Sequence, residues 1–104
     1  MERSRYHADV ATSLYELGKA AIGGVALTAD EISNGGFADA VMKIVTIYFK
    51  DSSLTAEYGA KVAIFNRRSF LELEQTEIEE QKRIVDELWD MVKAQRTYSC
   101  NGHS

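Results

Sequence analysis

The chain has 104 residues, of which 45% are hydrophobic, 27% charged and 10% aromatic. That length fits one domain, since two cores would leave roughly 50 residues each, and the composition is too apolar for a disordered chain. One cysteine (Cys100) and two histidines exclude a disulfide framework, a multi-cysteine zinc site and a histidine-rich metal cage, while a net charge of −4 argues against broad electrostatic binding to nucleic acid or anionic membrane.

At the amino terminus, Arg3 and Arg5 are followed by His7, Asp9 and Glu16 instead of an apolar run, so no signal peptide is expected. The longest apolar stretches, 20–29 and 41–49, each supply about half of the roughly 20 residues a membrane-spanning helix needs. The expectation is a soluble cytoplasmic protein with no membrane contact.

The first helix is predicted over 5–22. Tyr6, Val10, Leu14, Leu17 and Ala21 recur at helical steps, and Ser4 is placed to cap the first turn. Gly23-Gly24 closes that pattern. Thr28-Ala29-Asp30-Glu31 then reads as a capping box, in which the Thr28 hydroxyl accepts from the amide three residues on and Glu31 reaches back. The helix it starts is short, because Asn34-Gly35-Gly36 is the clearest turn signal in the chain.

The stretch 37–66 supports two readings. On a helix, Phe37, Val41, Ile44, Val45 and Tyr48 share one face, and after Ser53 as N-cap a second helix carries Leu54, Tyr58, Val62 and Phe65. Ala56, Ala60 and Ala63 then offer a small-residue face for close helix contact. The alternative is a β-hairpin over about 41–66, because Val41 to Phe49 is dense in β-branched and aromatic residues. Helix is the preferred reading, since no proline interrupts it.

A long C-terminal helix is the firmest expectation. Thr76-Glu77-Ile78-Glu79 reads as a second capping box, and Lys93 and Arg96 complement the dipole of the last turn. Ile78, Val85 and Val92 repeat every seven residues, with Ile84, Leu88 and Met91 beside them. Leu71 extends the same phase, so an earlier start at Ser69-Phe70-Leu71-Glu72 is possible. Glu74, Gln81 and Gln95 are polar where a strict dimeric coiled coil would want leucine. The fold expected is a mostly helical single-domain bundle of four or five helices over 1–96, with a flexible polar tail at 97–104; the alternative is α+β with the central hairpin.

Charge is the one asymmetry. Residues 1–70 balance, whereas 71–104 carry four basic and eight acidic side chains and so the whole net charge. Glu72, Glu79, Asp86 and Asp90 line up along one helix face, with Glu80 and Glu87 beside them. Such a ridge either solvates the outside of an amphipathic helix or meets a basic partner. Trp89 and Tyr98, with Tyr15 and Tyr58, are the aromatics suited to anchor an interface. Lys61, Arg67 and Arg68, between Phe65 and Phe70, form the only basic cluster; they are candidates for phosphate contacts or for internal ion pairs.

No catalytic or cofactor motif stands out. There is no Glu-x-x-His or His-Glu-x-x-His, and the glycine pairs match neither the P-loop nor the dinucleotide fingerprint. Cys100 and His103 have a spacing a metal could bridge, but two ligands make a weak site. The expected function is a small non-enzymatic protein-binding or regulatory protein, such as an inhibitor acting through the acidic helix face and aromatic anchors, with no cofactor, no metal and a homodimer through the C-terminal helix. A small ligand-binding or catalytic bundle is one alternative. A nucleic-acid module using Arg67 and Arg68 is the other.

Overall fold

Helix α1 (Glu2–Ile22) opens the chain and buries Val10, Leu14 and Leu17, three of the five stripe residues, at less than 2% exposure each. The fold is given by a computed structural model, which describes residues 2–23 and 27–102, with side chains described for 5, 7–23 and 27–95. Ser4 as a cap, Tyr6, Gly24 and the polar tail at 97–104 lie wholly or in their side chains outside the described residues.

The short α2 (Ala29–Glu31) starts on the expected capping box: the Thr28 amide donates to Glu31 Oε1 at 2.8 Å, and the Glu31 amide donates to Thr28 Oγ1 at 3.1 Å. These bonds hold the Glu31 carboxyl below the ordinary carboxylate range. The chain then bends at Asn34-Gly35-Gly36, and both glycines are required there. Gly35 sits at φ 107°, and its missing Cβ would lie 3.1 Å from the Arg67 carbonyl carbon; a Cβ on Gly36 would lie 2.7 Å from the Glu31 carbonyl oxygen.

Residues 41–66 contain no strand. Helix α3 (Phe37–Ile44) buries Phe37, Ala38, Ala40, Val41 and Ile44. It continues through a wide turn, Val45–Phe49, that ends at Lys50, whose backbone is left-handed at φ 55°. The hairpin would have needed Ile47 on the inner face with Val45, yet Ile47 is half exposed while Val41, Ile44 and Val45 are buried. Burial at steps of three and four outweighs the β-branched composition.

Helix α4 (Ser52–Val62) is capped by Asp51 and not by Ser53: Asp51 Oδ1 accepts from the Ser53 and Leu54 amides at 2.8 and 3.1 Å. A carboxylate capping two amides at once is the stronger partner for a helix N-terminus. The stripe Tyr58, Val62 and Phe65 is buried as expected, and the rings of Phe37 and Phe65 meet edge to face at 5.3 Å. The alanine face is not used for packing, because Ala56, Ala60 and Ala63 are all exposed.

A single 3₁₀ turn, Phe70–Glu72, forms on the Ser69 capping box, but the chain then extends at Leu73. Leu71 therefore leaves the core phase and is 82% exposed. Helix α5 (Gln75–Gly102) begins after Glu74, whose amide donates to Glu77 Oε1 at 2.9 Å, so Thr76 lies inside the helix and is not its cap.

Ile78, Ile84, Val85, Leu88 and Val92 of α5 are buried in the chain's own core, where each contributes roughly 1.5–3 kcal/mol. The apolar stripe considered for a dimer is thus consumed within one chain, apart from the half-buried Trp89 and Met91. Helices α1 and α5 pack along each other and run in the same direction: Val10 lies by Val85, and Ser13 by Trp89. The result is a mostly helical bundle of four helices and a long C-terminal helix around one core. Among the described residues no helix is long and apolar enough to cross a membrane.

Candidate functional site

The parallel seam of α1 and α5 leaves a groove on the outside of the bundle. Trp89 follows Val85 by one helical turn, so its ring lies at the edge of the buried stripe with one side in the core and the other in the groove. The indole Nε1–H donates to Ser13 Oγ at 2.9 Å and to the Ser13 carbonyl at 3.2 Å, which fixes the ring against α1. An open depression of about 520 Å³ is lined by Ser13, Asp86, Trp89, Asp90 and Lys93. A smaller one of about 110 Å³, lined by Asp9, Val10, Ser13, Lys82, Val85 and Asp86, shares two of those residues. The two depressions adjoin at Ser13 and Asp86 along this open channel.

Three carboxylates and two amines border this channel. Lys82 Nζ pairs with Asp86 at 3.1 Å, and Lys93 Nζ stands 5.8 Å from the Trp89 ring centroid. Asp9 and Asp90 are in no ion pair among the described residues. The groove therefore combines a fixed aromatic surface, over which Lys93 stands, with three carboxylates against two amines. It suits a cationic, partly apolar ligand.

The acidic ridge read from sequence is divided by the structure. Glu79, Asp86 and Asp90 remain exposed on the groove side of α5, and Glu79 Oε2 accepts from Gln75. Glu72 is occupied by the Ser69 cap at 3.2 Å, and Glu80 pairs with Arg83. Glu87 faces α4, where its Oε1 accepts from the Tyr58 hydroxyl at 3.0 Å and from Lys61 Nζ at 3.2 Å. Burial and this carboxylate push the Tyr58 phenol well above the ordinary tyrosine range, and the hydrogen bond to Glu87 raises Lys61. Tyr58 is buried, so it is no surface anchor. Tyr98 lies outside the described side chains, as do Cys100 and His103.

The basic cluster is likewise divided. Lys61 pairs with Glu57 and Glu87 at 3.4 and 3.2 Å, and its Nζ lies 4.9 Å from the Tyr58 ring centroid. Arg68 grips both oxygens of Glu77 at 2.7 and 3.0 Å and also donates to the Ile64 and Glu72 carbonyls, each at 3.1 Å. That fork holds Glu77 below, and Arg68 above, their ordinary ranges. Arg67 alone of the three points to solvent with no side-chain partner among the described residues, at φ 60°.

His7 fills a structural position. It is buried, its Nε2 lies 2.8 Å from Ser33 Oγ, and its ring stacks on Phe70 at 3.9 Å, joining α1 to the glycine bend and the 3₁₀ turn. No group of three or more His, Cys, Asp or Glu among the described residues is arranged to hold a metal. Sequence reasoning missed Asp9, Ser13 and Lys82, because nothing local signals which face of α1 meets α5. Comparison of the chain with protein-family models, with curated proteins and with solved structures returned no match.

Proposed function

We propose that the chain is a non-enzymatic protein-binding module that takes a basic, partly apolar segment of its partner in the α1–α5 groove. The observation that carries this reading is Trp89: the chain's one tryptophan is held by Ser13 at the groove wall, beside Asp86 and Asp90. A rigid aromatic in an open channel is what an interface anchor requires. The neighbouring carboxylates favour lysine or arginine on the partner and speed encounter with a basic surface. Regulation or inhibition follows wherever the bound segment is itself the partner's working part.

Trp89 emission tests the reading directly, since no other tryptophan contributes. A short synthetic helix of arginine and leucine should give a saturable change that weakens with salt. A glutamate and leucine counterpart should give none. Equal responses to both peptides, or no response to the basic one, would overturn the proposal.

A further inference from the structure

We infer that one occupant of the groove is the 64–72 loop of a second copy of this chain, so that copies associate head to tail. The inference rests on the groove reading and names its ligand. Within this loop the core takes Phe65 and, through stacking on His7, part of Phe70. The remaining large side chains point outward: Ile64 is 53% and Leu71 82% exposed, and Arg67 is exposed between them.

This exposed set is held rigid from beneath. One guanidinium, that of Arg68, binds the carbonyls of Ile64 and Glu72 and the carboxylate of Glu77, so both ends of the loop are fastened side by side to the start of α5. Arg67 adopts a left-handed backbone that non-glycine residues rarely take. A loop fixed in this way loses little entropy when it docks.

The loop and the groove are complementary. Leu71 offers an apolar knob for the face of Trp89, and Arg67 offers a cation for Asp90, which lines the same depression as Trp89 and is in no ion pair among the described residues. Leu71 and Trp89 do not meet within one molecule. Leu71 precedes α5, and Trp89 lies roughly 21 Å beyond the start of that helix at Gln75, at about 1.5 Å per residue, in a molecule 47 Å long. Knob and groove at separate places on one chain make a heterologous contact, which repeats from copy to copy.

Light scattering on the full chain gives the test. The average mass should rise above the monomer at tens of micromolar and fall back at high salt, with Trp89 emission shifting in step. Leu71→Asp lacks the knob and Asp90→Lys lacks the groove charge; both sites are exposed, so helical circular dichroism should be unchanged and each variant alone should be monomeric. Mixed together, they should form a one-to-one dimer and nothing larger, because one intact knob and one intact groove remain. Arg67→Glu should behave as Leu71→Asp does. A wild-type chain that stays monomeric, a Leu71→Asp chain that still assembles, or a mixture that stays monomeric would overturn the inference. If the wild-type chain is monomeric while the arginine–leucine peptide still binds, the groove reading stands and only its occupant is wrong.

Discussion

Alanine at Gly18 and alanine at Gly36 are the same chemical change with opposite expected outcomes. Gly18 lies inside α1, and a Cβ there meets nothing within 4 Å. It borders a crevice of about 10 Å³ lined by Leu14, Ile22, Leu27, Ile32 and Ile44 among others, so a methyl has room beside apolar neighbours. Glycine in a helix interior costs about 0.8–1 kcal/mol relative to alanine. Gly18→Ala should therefore stabilise by about 1 kcal/mol, and partial burial of the methyl adds at most ~0.8 kcal/mol. For a chain of this size that corresponds to a rise in Tm of about 4–8 °C. At Gly36 the Cβ would stand 2.7 Å from the Glu31 carbonyl oxygen and 2.8 Å from Leu27 Cδ1. The leucine can rotate, but the backbone oxygen cannot, so Gly36→Ala should destabilise by about 1–3 kcal/mol, as overpacking does. Thermal and urea unfolding followed by circular dichroism at one pH decides both. Gly36 stands at the N-cap of α3, where glycine is also preferred to alanine, so a stabilised Gly36→Ala, or a destabilised Gly18→Ala, would refute the geometric argument.

Three further outcomes follow from individual residues. Lys50→Gly relieves a left-handed backbone that costs about 1–2 kcal/mol, against roughly 0.5–1 kcal/mol of extra entropy for glycine; a net gain of a few tenths to about 1 kcal/mol in urea titration is expected. Tyr58→Phe removes the buried hydroxyl that donates to Glu87 while Lys61 keeps its own bond there, so a loss of about 1–2 kcal/mol is expected with helical content unchanged. The Glu77 carboxyl, held low by Arg68, contributes stability that is fully present above its ordinary value of 4.5 and is lost as pH falls below it. Tm measured from pH 6 downward should therefore drop more steeply below 4.5 for the wild-type chain than for Glu77→Gln, and parallel curves would remove that role.

Local chemistry was legible from sequence, and chain pairing was not. The Thr28–Glu31 box needs only residues three apart and forms as read, and the Ser69–Glu72 box also forms, although it starts a 3₁₀ turn and not the C-terminal helix. The α1, α3 and α4 stripes likewise follow from helical spacing, and their central residues end buried, while Ala21, Tyr48 and Leu54 are only partly so. Thr76 failed as a cap because Glu74 and Glu77 close the same turn two residues earlier. Leu71 failed as a core residue because the backbone extends at Leu73 and breaks the phase between it and Ile78. The charged clusters dissolved for a related reason: Tyr58 and Glu87 are 29 residues apart in sequence, Lys61 and Glu87 are 26 apart, and no local pattern announces such bonds. The groove depends on contacts 76 residues apart between Ser13 and Trp89. One tryptophan could be singled out by eye, but its pocket required knowing that the first and last helices run side by side.

Gln81 sets polarity against position. Its heptad place is one where a coiled-coil seam would want leucine, and although polar it is 2% exposed, among the buried Ile78, Ile84 and Val85. Its Oε1 is buried and has no hydrogen-bond partner among the described residues. If the amide is turned over, a donor is stranded instead of an acceptor, and the cost is similar. An unmet buried polar atom costs about 1–3 kcal/mol. Methionine matches the length of glutamine, has nearly the same helix propensity and carries no group that must be satisfied. Gln81→Met should therefore stabilise by about 1–2 kcal/mol, seen as a higher urea midpoint at unchanged slope. A neutral result would place an ordered water on the amide, since exchanging a satisfied group for an apolar one gains little. A loss of more than about 1 kcal/mol would mean that the glutamine is fully bonded in the core, and the reading of an unmet buried polar group would be wrong.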